Sequence, residues 1–345
     1  MSFRILIRTP NHLGDCIMAL PMINETREAY SGATITVLAP RYLAELFEQD
    51  PAIDEIIRIP SAHVHGLIAV MKIRDLISSR DFDVGYILPP SFGAAAAFKL
   101  AGIKERIGYI ADGRRLLLSR PLALPNPLNS EHRSELYFNL LRRGAGVELE
   151  STRPKLFLND EDMRRGMQVL SSFGFVEDDK YAVVAFRAVA ESRRWGTENY
   201  IELIKVILSR YNLKVVLIGS AEDGRDGDQI ALSAGTKGVM NLAGKTSLRE
   251  AAAVMSNARF FVGNDSGPAH LAAAVGTPLI ILSGADDPKS TSPISHRKRL
   301  IYLDYLDCIS CVKNKCPLTG EDYMQCMRGI TVKMVTDQVD QLLCL

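Results

Sequence analysis

Short apolar runs alternate with amphipathic stretches along most of the chain. Phe3–Arg8, Thr34–Ala39, Glu55–Ile59 and Asp83–Leu88 are aliphatic and β-branched and predict strands, whereas Ile17–Tyr30, Arg41–Glu48 and Leu67–Ser79 carry apolar residues at helical spacing. Alternation of this kind predicts a parallel sheet with crossover helices. The rhythm falters over Asp112–Asn129, where Pro121, Pro125 and Pro127 exclude a long helix or a central strand. It resumes as a helix at His132–Arg143. Beyond a polar stretch near Glu148–Pro154 the pattern restarts with a helix at Asp160–Phe173, then strands at Tyr181–Phe186, Lys214–Gly219, Arg259–Gly263 and Pro278–Leu282. Helices at Thr197–Arg210 and Ser247–Asn257 lie between them, the second opened by the capping box Ser247-Leu-Arg-Glu250. A last helix, Thr331–Leu343, stands outside both series. The expected fold is α/β, with two doubly wound Rossmann-like lobes at 1–160 and 161–330 and a terminal segment at 331–345.

A length of 345 residues suits two domains, each with its own core. Apolar residues make up 47%, charged residues 23%, and the net charge is +1, so no global field favours a nucleic acid. The amino-terminal apolar run is too short for a signal peptide, and no run approaches the ~20 residues of a membrane span. A cytoplasmic location is expected. Six cysteines without an export signal favour free thiols or a metal site over a disulfide framework.

Open α/β sheets bind ligands at the carboxyl ends of their strands, which singles out two loops. Phe261–Gly284 reads as strand, turn, short helix and buried strand. Asp265 and Ser266 can cap that helix, Pro268 suits its first position, and the amides of Ser266 and Gly267 would face outward with the positive end of the helix dipole, an arrangement that favours a phosphate. An ordinary helix cap is the structural alternative. The loop Arg8-Thr-Pro-Asn-His-Leu-Gly-Asp-Cys16 has neither a dinucleotide-binding turn nor a P-loop, so nicotinamide and Walker-type chemistry lose support. It offers an acid, Asp15, after Gly14; by residue type Asp15 is equally a helix cap.

Cys308, Cys311, Cys316 and Cys326 have a spacing compatible with a tetrahedral structural zinc site, opened by a Cys-x-x-Cys pair. The later gaps match no standard zinc module, and buried thiols or a disulfide account for the same residues. Cys16 and Cys344 read as lone core thiols.

Leu13-Gly-Asp15 followed by Met18-Ala-Leu-Pro21, together with Asp265-Ser-Gly-Pro-Ala-His270, resembles the heptosyltransferase family of inverting glycosyltransferases, glycosyltransferase family 9. Leu100–Tyr109, Arg193-Arg-Trp195 and Ser283–Pro288 extend the resemblance over most of the chain. It implies a GT-B fold with lobes facing a central cleft, and transfer of heptose from ADP-L-glycero-D-manno-heptose to an inner-core lipopolysaccharide acceptor linked to lipid A. It further implies a monomer in peripheral contact with the cytoplasmic face of the inner membrane, no cofactor required for catalysis, and a terminal helix packed back across the lobe junction. Position by position, Asp15 matches the general base, and Asp265, Ser266 and Gly267, followed by Pro268 and His270, match the diphosphate-binding turn. Arg193 stands where the family usually has a lysine two residues before tryptophan, placed to neutralise the leaving diphosphate; Gly196 and Phe186-Arg-Ala188 depart from the usual pattern. Gly219, Asp223 and Thr246 are the expected nucleotide contacts, with Asp223 toward the ribose. An acidic acceptor requires basic surface, for which His12, Arg106, Arg115 and Arg133 are candidates, with Arg114 and Arg120 beside them. Two other readings compete: a transferase or epimerase of another nucleotide sugar, and a non-catalytic nucleotide- or metal-binding relative.

Overall fold

Strand β1 (Arg4–Arg8) shows why the sequence reads as a parallel sheet: Ile5, Leu6 and Ile7 are all fully buried, so both faces are covered and polar residues do not alternate along it. The computed structural model describes residues 3–64, 66–127, 130–150, 152–176 and 178–344. Met1, Asn129 and Leu345, which bound segments expected from the sequence, lie outside the described residues. The chain separates into two compact units whose boundary falls between Phe157 and Leu158.

In unit 1, β1 is followed by α1 (Leu13–Ala29), β2 (Thr34–Pro40), β3 (Glu55–Ile59), α2 (Leu67–Ile77), β4 (Val84–Ile87), α3 (Phe92–Leu100), β5 (Glu105–Tyr109), β6 (Arg120–Leu122) and α4 (Arg133–Ala145). The strands form one parallel sheet in the order β3-β2-β1-β4-β5-β6, with Ile5 opposite Ile35 on one side and Val84 on the other. The expected helix at Arg41–Glu48 is a single 3-10 turn at Ala44–Phe47, because the Leu43 amide closes back on Pro40 O at 2.9 Å and turns the chain first. Helix α3, Phe-Gly-Ala-Ala-Ala-Ala-Phe-Lys-Leu, was invisible to periodicity because it is apolar on nearly every side. Strand β6 holds Pro121 at the sheet edge, where a missing amide costs no ladder bond.

Unit 2 contains α5 (Asp160–Ser172), β7 (Tyr181–Ala185), α6 (Thr197–Arg210), β8 (Lys214–Leu217), α7 (Gly224–Ala234), β9 (Val239–Asn241), α8 (Leu248–Ser256), β10 (Phe260–Asn264), α9 (Gly267–Ala274), β11 (Leu279–Ser283), α10 (Pro288–Thr291), β12 (Lys298–Tyr302), α11 (Gln325–Arg328) and α12 (Val332–Leu343). Its parallel sheet runs β12-β11-β10-β7-β8-β9, the same winding as the first. Helix α5 is tied to α8 by a buried ion pair in which Arg249 Nε donates to Asp162 Oδ1 at 2.8 Å. Helix α12, expected to stand apart from both series, belongs to this unit. Val335 and Val339 are fully buried in its core, and at the end of α6 Asp340 accepts from Tyr211 at 2.8 Å and pairs with Arg210 at 2.6 Å. Strand order reverses between β1 and β4 in unit 1 and between β7 and β10 in unit 2. Those are the switch points at which such sheets open a crevice.

Candidate functional site

In unit 1 the loop after β1 is fixed from beneath. The buried Arg8 guanidinium donates to Thr9 O and, at 2.6 Å, to Asn11 Oδ1, and burial pulls its pKa down to about 10. Cys16 Sγ donates to Pro10 O at 3.2 Å, burial pushing that thiol up to about 12, and Tyr42 OH donates to Asn11 O at 2.9 Å. Helix α1 then starts with His12 in the cap position, exposed and without a side-chain cap bond. Asp15 is therefore not the cap; it sits in the first turn, where the helix dipole favours a carboxylate. Its Oδ1 accepts from Arg133 Nη1 at 3.0 Å and from Tyr137 OH at 3.4 Å, two residues one turn apart on α4. Burial, then the Asp15 carboxylate, raises the Tyr137 phenol well above its ordinary range, so it stays a donor. With 17% of its side chain exposed, Asp15 is an oriented carboxylate that a substrate hydroxyl can still reach.

Of the basic candidates, Arg133 is the one brought to Asp15. Arg106 is turned inward, donating from Nε to Leu117 O at 2.7 Å and from Nη1 to Lys104 O at 2.9 Å, and so stitches a loop rather than meeting a ligand. Arg114 is fully buried on the carbonyls of Tyr109 and Pro89, and Arg120 is held by Glu105, Gly144 O and Arg143 O. Arg115 is exposed.

In unit 2, β10 delivers Asn264 and Asp265 into a buried position, and α9 begins directly after them. Ser266 occupies the cap position but makes no side-chain cap bond; its hydroxyl instead donates to Asn264 O at 3.2 Å. Neither Asp265 nor Ser266 caps the helix as expected, and Pro268 sits one residue inside it. The Ala269 amide already donates to Ser266 O at 3.0 Å and Pro268 has none, which leaves the amides of Ser266 and Gly267 for an anion. Around this turn Asn264 Nδ2, Asp265 Oδ2, Ser283 Oγ and Arg193 Nε are buried without a hydrogen-bond partner among the described residues. Native interiors rarely leave such atoms unpaired.

The charges here are dense. Arg193 Nη2 lies 2.6 Å from Asp286 Oδ1, a carboxylate only 8% exposed, and His270 Nε2 lies 4.0 Å from Asp265 Oδ1. Burial, reinforced by the Asp286 carboxylate and opposed by Lys298 and Arg193, pushes Asp265 up to about 7. Burial also lowers Lys298, which donates to Ser292 Oγ at 2.9 Å. Asp286 and Lys298 were missed in the sequence. The first lay unremarked inside Ser283–Pro288, and the second belongs to β12, whose opening Lys298-Arg299 disguised a strand. Tyr137 was also missed, although its four-residue spacing from Arg133 placed both on one helix face.

A neutral Asp265 can donate to a phosphate, whereas an ionised one repels it. Binding of an anion at this turn is thus expected to be strongest below pH 7 and to weaken as pH rises through the pKa of about 7, by at most about tenfold per unit. Calorimetry with an ADP-sugar, whose phosphates are already fully ionised, checks this. An Asp265→Asn protein should lose the dependence.

Gly219 and Gly244 serve the packing of their own turns. A Cβ on Gly244 would meet Ala221 Cα at 2.4 Å, and one on Gly219 would meet Asp223 Oδ2 at 2.9 Å. Asp223 Oδ2 accepts from both the amide and the hydroxyl of Ser220 at 2.8 Å, so one oxygen is occupied within the turn. Thr246 is half-buried next to this pair of turns.

Cys308, Cys311, Cys316 and Cys326 are free thiols lining one hollow of about 300 Å³. Among the described residues no group of three or more His, Cys, Asp or Glu side chains is placed to hold a metal ion, and a structural zinc at these thiols is not shown. Their segment instead braces the charged loops: Asn314 O accepts from the Ser192 amide at 3.2 Å, Val312 N donates to Ala285 O at 2.8 Å, and Ser310 Oγ donates to Asp286 O at 3.0 Å. Cys16 is a core thiol as expected, but Cys344 is exposed.

The sequence profile of the family described as "Glycosyltransferase family 9 (heptosyltransferase)" matches residues 70–321. Lipopolysaccharide heptosyltransferase 2 of Escherichia coli strain K12 is 29% identical over 99% of this chain and 98% of its own length, and its Salmonella typhimurium counterpart is 28% identical over the same shares. The solved structure described as E. coli ADP-heptose lps heptosyltransferase II superposes with a TM-score of 0.83 at 27% identity, covering 99% of both chains. A family 9 glycosyltransferase from Veillonella parvula shares the fold at a TM-score of 0.86 and 20% identity, over 99% of this chain and 97% of that one.

Proposed function

Because this chain belongs to glycosyltransferase family 9, and is thereby a heptosyltransferase-type enzyme of the GT-B fold, we propose that it transfers heptose from ADP-L-glycero-D-manno-heptose to an inner-core lipopolysaccharide acceptor, with inversion. On this reading the amino-terminal unit handles the acceptor and the carboxy-terminal unit the donor. The enzyme works as a monomer in peripheral contact with the cytoplasmic face of the inner membrane. Asp15 removes the proton of the acceptor hydroxyl as its oxygen bonds to the anomeric carbon. The bond from that carbon to the diphosphate breaks on the opposite face, and ADP leaves. Arg193, Lys298 and the amides of Ser266 and Gly267 take up the growing negative charge. These groups supply the proton transfer and the charge stabilisation, so the reaction needs no cofactor.

The observation that carries this reading is the knot of buried, partnerless polar atoms on Asn264, Asp265, Ser283 and Arg193, set beside an open helix start. A diphosphate with several acceptor oxygens satisfies the donors among them. The test is a product assay with purified protein, ADP-heptose and a heptose-deficient lipopolysaccharide acceptor. ADP is expected to appear only when both substrates are present. Conversion of the nucleotide sugar without acceptor would make the protein an epimerase, and binding without turnover would make it a non-catalytic relative.

A further inference from the structure

Leu67, Ile68 and Met71 in the first turns of α2 are 87%, 69% and 43% exposed, and Phe92 at the start of α3 is 52% exposed. Helices α2 and α3 touch here, since a Cβ built on Gly93 would lie 3.3 Å from Val70 Cγ2. The four side chains thus form one apolar surface rather than scattered exceptions. A contiguous exposed patch of this kind on a water-soluble unit marks a contact.

Two features identify the occupant. The first is charge. Of the nine Lys and Arg in residues 61–120, Arg106, Arg114 and Arg120 are held by backbone carbonyls and Arg74 and Arg80 meet carboxylates, which leaves the exposed Lys72, Lys99, Lys104 and Arg115 to face solvent. Lys72 is exposed beside Met71, Arg41 and Arg115 are exposed at the carboxyl ends of β2 and β5, and the nearest acid on α2, Asp75, is neutralised by Arg74 Nε at 2.9 Å. Apolar side chains with a cation beside them, on a sheet edge that carries two more, match an anionic lipid surface, into which the former insert while the latter meet headgroups. The second feature is position. In a parallel sheet the helices after β1, β3 and β4 all start at the carboxyl edge, so this patch shares its edge of unit 1 with Asp15.

We propose that Leu67, Ile68, Met71 and Phe92 are a bilayer-contact patch that seats unit 1 on an anionic phospholipid surface, so that a lipid-anchored acceptor reaches Asp15 without leaving the membrane. The inference rests on the lipopolysaccharide-acceptor reading above. No helix among the described residues is long and apolar enough to cross a membrane, so the contact is one of surface insertion.

The test compares the full chain with Leu67→Glu/Ile68→Glu and, separately, Lys72→Glu in flotation with vesicles of phosphatidylcholine alone or mixed with phosphatidylglycerol. The parent protein should float with the anionic vesicles. The double variant should bind them at least about tenfold more weakly, and Lys72→Glu about fivefold or more, the latter effect vanishing at high salt. Transfer to a delipidated, soluble acceptor should stay unchanged in all three proteins, which also shows that they fold. Transfer to acceptor embedded in vesicles should fall with binding. Equal vesicle binding by parent and variants would overturn the patch, as would a concentration-dependent dimer that the double variant abolishes. Absence of transfer to either acceptor by the parent protein would instead overturn the proposed function, since vesicle binding is read independently.

Discussion

Asp15→Asn is expected to lower turnover by about 10²–10⁴-fold while leaving donor affinity nearly unchanged. Asparagine preserves the side-chain volume and still accepts from Arg133 and Tyr137, which hold Oδ1 at 3.0 and 3.4 Å, so the local structure survives. What it cannot do is take a proton. Donor binding is expected to be untouched because the proposed diphosphate turn belongs to unit 2. Single-turnover rates at saturating donor and acceptor, with ADP-sugar affinity measured alongside, check both halves. A rate near that of the parent would remove Asp15 from the mechanism. A Tyr137→Phe protein should show a smaller loss, because it removes one orienting donor and leaves the base.

Both sheets were legible in the sequence because their central strands are buried on two faces and flanked by helices with one apolar stripe. Thr197–Arg210 was read to the residue, since Gly196 marks its start and an apolar stripe, Tyr200, Leu203, Ile204 and Ile207, runs down one side. Several elements escaped for different reasons: α3 is uniformly alanine-rich, β5 and β12 open on charged residues, β6 and β9 are three residues long, and α7 carries two glycines, Gly224 and Gly227. The site divides in the same way. Asp15 and Asp265 lie where the local sequence signals a helix start after a strand, so they could be picked out one at a time. The partners that tune them could not. Arg133 and Tyr137 come from a helix more than a hundred residues beyond Asp15, and Asp286 and Lys298 reach Asp265 only because β11 and β12 stand in line beside β10. Arginines told a related story: Arg106, Arg114 and Arg120 looked like surface cations, yet each is spent on backbone carbonyls. A long side chain with five donors suits that task, and its spacing in sequence does not reveal it.

Arg193→Ala is expected to reduce turnover by about 10²–10³-fold, with a smaller loss of donor affinity, because charge on the leaving diphosphate grows in the transition state. The single variant has a complication. It strands the buried carboxylate of Asp286, now facing Arg193 at 2.6 Å, beside Asp265, and so damages the turn electrostatically as well as removing a cation. Arg193→Ala/Asp286→Asn separates the two effects. Stability, read by thermal melting, should recover toward that of the parent in the double variant, while turnover should stay low, since no cation has returned. Recovery of both would mean that Arg193 merely neutralises Asp286. Arg194→Ala provides the register control: its Nε donates to Ala188 O at 2.9 Å, so that change should loosen the loop and cost affinity and rate together. Arg193→Lys restores the charge without the fork that lets arginine face Asp286 and a phosphate at once. An intermediate turnover for that protein, above Arg193→Ala and below the parent, is the outcome that assigns the loss to charge on the leaving group.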